Sequence, residues 1–280
     1  MPEIFGHKTI PLENWAEDFT FWVVREYRPF FQAVKWPVEQ LLENTQDLLL
    51  WLPDWLVILA LAGIALRVAG RGVAIFTVLS MLTIGFLGLW HEAMVSLAMV
   101  NSAVIFCAVI GIPLGILGAS SDRADRVMRP MLDAMQTTPS FVFLVPVVML
   151  FSTGTVAGVI ATVIFAMPPI VRLTNLGIRD VSAEAVEAAY AFGAESRQVL
   201  FDVQIPLASR TIMAGLNQTL MMAISMIVIA SIIGAGGLGE PVRRGINNFQ
   251  PGLAVIGGIS VVLLAMVLDR ITQALGSSEA

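Results

Sequence analysis

Residues 173–209, LTNLGIRDVSAEAVEAAYAFGAESRQVLFDVQIPLAS, form a polar interval between two apolar runs. Connections between packed helices are ordinarily short, yet this one has a helical periodicity of its own. Ser182 is placed to cap a helix, with Glu184 and Glu187 in its first turns, where negative charge suits the helix dipole. Ala183, Val186, Ala189 and Tyr190 then share one face. Gly193 can end that helix through a left-handed residue. Glu195 to Asp202 fit a second helix presenting Val199, Leu200 and Phe201, and Pro206 is expected to stop it before the next apolar run. The product is a helix–turn–helix with apolar residues facing the solvent, and such a patch calls for a partner. The alternative is that the loop folds back on its own bundle.

Outward from this interval the chain is a membrane protein. It is 57% hydrophobic and 13% charged, with a mean hydropathy of +0.82, which leaves too little charge to cover a water-facing surface. Crossing a hydrocarbon core of roughly 30 Å takes about 20 helical residues. Charge-free intervals of 20, 29, 38, 29 and 24 residues follow Arg71, Glu92, Asp133, Arg210 and Arg244. The longest breaks at Ser152-Thr153-Gly154-Thr155, leaving a short crossing near 136–151 that can kink at Pro139 and Pro146. With a further span at 48–66, the expectation is an all-α polytopic protein of about seven transmembrane helices: a transmembrane domain over 48–272 and a tail over 273–280.

Arginine placement gives the direction, because cytoplasmic loops are enriched in Lys and Arg. With Arg67 and Arg71 inside, alternation also places Arg123, Arg126, Arg129, Arg172, Arg179, Arg197, Arg210 and Arg270 inside. The expectation is an N-terminus outside and a C-terminus inside. Segment 1–47 lacks a secretory signal pattern. It is aromatic from Phe19 to Val38 and reads either as an amphipathic helix in the interface or as a partly ordered tail anchored by its aromatic rings.

The two lysines, Lys8 and Lys35, are not in a P-loop context, so the chain carries no ATP site of that type. Cys107 alone can make neither an internal disulfide nor a cysteine metal cluster. His7 and His91 are far apart and lack a ligand set or a triad around them. A net charge of −5 argues against nucleic acid as a partner.

The stretch Glu187-Ala188-Ala189, then Gly193, then Val203-Gln204-Ile205-Pro206 resembles the EAA loop of ABC importer permeases. The surrounding segments PMLDAMQTTPSFVFL (130–144), FAMPPIVRLTNLGIRDV (165–181), IPLASRTIMAGLNQTLMMAISMIVIASIIGAGGLG (205–239) and LDRIT (268–272) resemble the permeases of osmoprotectant importers for glycine betaine, proline betaine and choline. The resemblance implies a type I ABC importer permease fold in the bacterial cytoplasmic membrane. It implies a permease homodimer, two cytosolic ATPase subunits gripping the EAA loops, and an extracytoplasmic substrate-binding protein. No cofactor is expected on this chain, since ATP and magnesium would be held by the ATPase. Glu184, Glu187, Ala188, Ala189, Gly193 and Pro206 would form the ATPase-coupling element, with 183–192 as the coupling helix. Carnitine or trimethylamine N-oxide are alternative solutes.

For the substrate path, Asn217, Met221 and Ser225 stand at i, i+4, i+8, with Gln218 and Met222 alongside: a polar, polarisable stripe on an apolar helix. The competing explanation is interhelical glue. Among aromatic residues, Phe141, Phe143, Phe151, Phe165 and Trp90 are candidates for facing a methylammonium group. Arg129 and Asp133 fit an i, i+4 ion pair. Gly234 to Gly239 read as an external gate or a turn. A stand-alone secondary transporter would need coupling charges within its spans and would leave the EAA loop unexplained, and a membrane scaffold would not need that loop's glycine and proline spacing. No carboxylate pair, metal set or nucleophile–base pair suggests an enzyme.

Overall fold

The computed structural model describes residues 11–277, so Lys8, His7 and the end of the 273–280 tail lie outside the described residues. Among the described residues the chain is helical throughout, with no strand. In order come α1 (Leu12–Glu26), α2 (Arg28–Trp51), α3 (Asp54–Val68), α4 (Arg71–Phe86), α5 (Trp90–Ser120), α6 (Asp122–Thr137) and α7 (Leu144–Phe151). They are followed by α8 (Thr155–Arg179), α9 (Ala183–Ala191), α10 (Ser196–Gln198), α11 (Ile205–Ala230), α12 (Gly239–Asn247) and α13 (Pro251–Ser277).

Each of the seven apolar intervals falls on a helical segment, but the segments differ in kind. Four are helical runs long and apolar enough to cross a membrane: α5, α8, the continuous run Ser196–Ile233 and α13. Two are bent pairs, α2 with α3 (110°) and α6 with α7 (107°). The seventh is α4, an apolar helix of 16 residues, about 24 Å long at the α-helical rise. Both bends sit at a proline. Leu52 and Thr138, preceding Pro53 and Pro139, are extended (ψ 138° and 128°), as steric conflict with the proline ring requires.

The 47/48 boundary expected for the N-terminal segment falls inside α2, and the chain turns instead at Leu52-Pro53. Within α2 this segment is docked: Val38 and Leu42 are buried against the bundle and Phe31 packs edge-on against Phe151 with centroids 5.6 Å apart. Trp15, Phe19, Phe21, Trp22, Phe30 and Trp36 remain exposed, the aromatic display expected of an interfacial helix.

The core is α8 held between α5 and α11. Membrane helices gain no hydrophobic drive against lipid, so close approach through small residues supplies the packing. Gly111 and Gly115 of α5 let Ile170, Val171 and Thr174 of α8 come up against the α5 backbone, and Gly215 of α11 does the same for Ile170 from the other side. Glycines 234–239 form a packed turn, not a loose flap. Ser96 Oγ accepts a hydrogen bond from the Leu238 amide at 2.8 Å, and Ala235 and Leu238 are buried.

In α12, which follows that turn, Glu240 accepts from Arg243 (Nε 2.9 Å, Nη2 2.5 Å) and from Arg244 Nε at 3.1 Å. The hydrogen bond from Arg243 holds its carboxyl below the usual carboxylate range despite partial burial. A depressed folded value means that the pair's contribution is complete above the unfolded carboxyl's pKa and disappears as the pH falls through the folded one. Glu240→Gln is therefore expected to lower thermal stability at neutral pH by about 1–3 kcal/mol. In a melting series the deficit should shrink as the pH is lowered through the folded value.

Candidate functional site: a capped helix and a polar stripe

The α9 end of the bundle is built by local capping. Ser182 Oγ accepts from the Ala185 amide at 3.3 Å, which starts α9. At its other end the Gly193 amide bonds to the Tyr190 carbonyl (2.9 Å) and the Ala194 amide to that of Ala189 (3.1 Å). This is a Schellman closure, and it needs the left-handed φ of +84° that Gly193 adopts. Glu195 then begins the next helix with a capping box, its amide donating to Gln198 Oε1 at 2.8 Å.

The second helix does not stop at Pro206. Val199–Gln204 form a π-helical turn that runs without a break into α11. The proline is accommodated because it stands at the start of α11's own hydrogen-bonding register, where its missing N–H has no required partner. Val199 is buried, while Phe201 stays exposed with the Arg197 guanidinium 5.9 Å over its ring. Glu184, Glu187, Ala188 and Gly193 are exposed; Val186 and Ala189 are half-buried, with α9 packed on the 199–204 turn. Tyr190 and Phe192 (93% exposed) project from this end. The polar interval is shorter than 173–209, since α8 extends to Arg179 and the Ser196–Ile233 run reaches back into it.

On α11 the predicted stripe divides. Asn217 is tied to α13: its Nδ2 donates to Asp269 Oδ1 at 3.3 Å, and Thr272 Oγ1 donates to Asn217 Oδ1 at 2.6 Å. Gln218, Met221 and Ser225 are exposed along one face, with Met222 half-buried beside them. Gln218 lines two cavities, one of about 650 Å3 between α6, α8 and α11, the other of about 530 Å3 between α11 and α13. Asn217→Ala is expected to cost roughly 1 kcal/mol of stability by breaking the α11–α13 tie. Gln218→Ala should leave the melting temperature of the purified protein unchanged, and equal melting temperatures for both variants would remove the tie.

Most of the candidate aromatic residues have partners. Phe143 packs with Phe165 (centroids 6.3 Å) and Phe151 with Phe31; Trp90 packs by Gly85, and Phe141 is exposed. The expected Arg129–Asp133 pair is not formed. Arg129 turns back one turn to the buried Asp125 (2.6 Å), and Asp133 reaches across to Arg172 (2.5 Å). The i−4 partner wins because Asp125 is 6% exposed and a buried carboxylate needs its charge matched. Asp122, Asp125 and Asp133 form with Arg172, Asn175 and Arg179 an interhelical set that i, i+4 spacing within one helix does not anticipate. Its signal was the polar spacing 172, 175, 179 on one face of an otherwise apolar helix.

This arrangement can present an exposed, rigidly capped helix to a partner while an apolar bundle with one polar face stands behind it. The family described as binding-protein-dependent transport system inner membrane component matches residues 111–278. The chain belongs to that family. Members similar to it include the glycine betaine/proline betaine transport system permease protein ProW of Escherichia coli, 55% identical over 96% of this chain and 77% of the relative. The glycine betaine transport system permease protein OpuAB of Bacillus subtilis is 41% identical over 94% of both chains. The glycine betaine/carnitine transport permease protein GbuB of Listeria monocytogenes is 42% identical over 98% of this chain and 97% of its own.

Among solved structures, the inward-facing MetNI methionine ABC transporter aligns with a TM-score of 0.61 at 21% identity, over 66% of this chain and 93% of that one. An amino acid ABC transporter aligns at 0.55 and 22%, over 69% and 94%. The fold is thus the type I importer permease fold. As a binding-protein-dependent inner membrane component, the chain is a multi-pass permease subunit of an ABC importer.

Proposed function

We propose that this permease carries a quaternary ammonium or methylamine osmolyte of the glycine betaine/proline betaine type across the cytoplasmic membrane. Two copies form the path, and two cytosolic ATPase subunits drive it. The observation that carries the solute assignment is the 55% identity to the glycine betaine/proline betaine permease over 96% of the chain. A secondary transporter is disfavoured by the exposed, doubly capped α9, which such a protein would have no use for.

In this reading the α9 end is cytoplasmic, the N-terminus is outside and the C-terminus inside. Glu184, Glu187, Ala188, Ala189 and Gly193 meet the ATPase, which holds ATP and magnesium, while Pro206 sets the register of the helix that follows. ATP-driven closure brings the two α9 helices together, and the bundles turn from inward-open to outward-open access. An extracytoplasmic binding protein delivers the solute, and its tight aromatic cage lies on that protein. The permease offers only the weakly polar face of Gln218, Met221, Met222 and Ser225, beside the structural Asn217.

Reconstitution in liposomes with the ATPase and binding protein tests this. ATP hydrolysis should require the added ATPase. Glycine betaine and proline betaine should accumulate ahead of carnitine, choline and trimethylamine N-oxide in a panel of labelled methylamines. Accumulation without ATPase, or of none of these solutes, would sink the assignment.

A further inference from the structure

We infer that Arg172, Asn175 and Arg179 of α8 are positioning residues, forming with α6 a three-rung polar clasp that makes the α6–α7 hairpin follow the coupling helix. This rests on the reading of α9 as the element driven by the ATPase.

The three residues are spaced at i, i+3 and i+7, on one face of α8. They meet Asp133, Asp125 and Asp122 in turn, so the rungs run in opposite chain directions along the two helices. Arg172 Nη2 lies 2.5 Å from Asp133 Oδ1. Asn175 Nδ2 donates to Asp125 Oδ1 at 2.7 Å, and Arg179 Nη2 donates to Asp122 Oδ1 at 2.8 Å. Two further bonds lock the end nearest α9. Arg179 also donates to the Gly118 carbonyl at 2.8 Å and to Asn175 Oδ1 at 2.9 Å, so one guanidinium joins α5, α6 and α8.

Apolar packing does only part of this work: Leu132 is buried and Met128 and Met135 pack on the core, but a cavity of about 650 Å3, lined by five of the six clasp residues, opens between the same helices. Isolated surface pairs contribute little to stability. The Asn175–Asp125 and Arg179–Asp122 rungs, joined by the Arg179–Asn175 bond and anchored on the buried Asp125, form a connected set that fixes relative position, and Arg172–Asp133 is a more exposed pair at the other end. Only residues 180–182 separate the last turn of α8 from α9, with Ser182 already bonded into α9. A displacement of α9 therefore reaches Arg179 with little slack. From α6 it passes through the bend at Pro139 to the exposed apolar face of Phe141, Val142 and Val145. Without the clasp α8 could move and leave α6 behind, since the packing of Phe143 on Phe165 holds only the far side of the bend.

The test is a charge swap in the full complex, reading uptake and ATP hydrolysis together in proteoliposomes. Arg172→Asp and Asp133→Arg are each expected to lower solute taken up per ATP at least tenfold. The double variant should restore that ratio to within about threefold of the parent. Singles with the parent ratio, or a double as poor as the singles, would overturn the clasp. Should the singles fail to assemble, Asn175→Ala, which removes one rung without stranding a guanidinium, is expected to raise ATP consumed per solute, and an unchanged ratio overturns the inference. Failure of the coupling reading itself looks different, since substitutions in α9 such as Gly193→Asp would then leave hydrolysis and uptake as coupled as in the parent.

Discussion

Gly193→Asp is expected to abolish uptake while the protein still inserts in the membrane and assembles. The position is open: a Cβ added at Gly193 meets nothing within 4 Å, so crowding within the chain cannot be the cause. The cost is conformational. Gly193 holds φ at +84°, where a side chain adds about 1–2 kcal/mol of strain, enough to open the Schellman turn in a large share of molecules. Asp also adds a negative charge to a surface that already exposes Glu184 and Glu187. Gly193→Asn carries similar strain without the charge, since asparagine and aspartate both enter the left-handed region more readily than other side chains. Its uptake should fall several-fold, not vanish. The measurement is ATP-dependent uptake normalised to membrane-inserted protein. Normal uptake by a well-expressed Gly193→Asp variant would remove α9 from the coupling pathway.

Local signals were the most legible in the sequence. The Ser182 cap, the end of α9 at Gly193 and the break at Ser152-Thr153-Gly154-Thr155 each depend on one or two neighbouring residues, and Ser152 and Gly154 do adopt positive φ. Apolar intervals gave the crossings because charge cannot be hidden in hydrocarbon. Hydropathy does not say how a span bends, however, so the pairing of α2 with α3 across Pro53, and the 47/48 boundary lost with it, needed the structure. Pro206 misled for a related reason: proline ends a helix that keeps α-helical register, whereas the π turn at 199–204 shifts the register ahead of it. Spacing alone allows Arg129 to pair with Asp133, but burial decides for Asp125, and burial is not written in spacing. The α5–α8 contact was legible in principle, as a Gly111-x-x-x-Gly115 pair in an apolar run.

That contact carries the largest expected effect on stability. Gly115→Val should prevent the protein from reaching its native bundle. A Cβ at Gly115 would stand 2.5 Å from Thr174 Cβ and 2.8 Å from the Val171 carbonyl oxygen. Neither neighbour can yield through a rotamer change, because a Cβ moves only with its backbone and the carbonyl oxygen is backbone itself, so α5 and α8 would have to separate. Overpacking by one methyl group in a close-packed interior costs about 1–3 kcal/mol, and valine adds two more methyl groups to the same gap. Gly115→Ala is accordingly expected to fold with a lowered melting temperature, and Gly115→Val to yield little monodisperse protein after extraction. Gly63→Ala in α3, where an added Cβ meets nothing within 4 Å, serves as the control. It should be neutral or gain up to about 1 kcal/mol, because alanine restricts the unfolded chain and favours the helix. The separation would also be felt at the α9 end, since the Gly118 carbonyl on α5 is a fixed point for Arg179. Gly115→Ala should therefore lower uptake per ATP in the protein that does fold. Equal melting temperatures for Gly115→Ala and Gly63→Ala would show that the two helices are not held at the separation described.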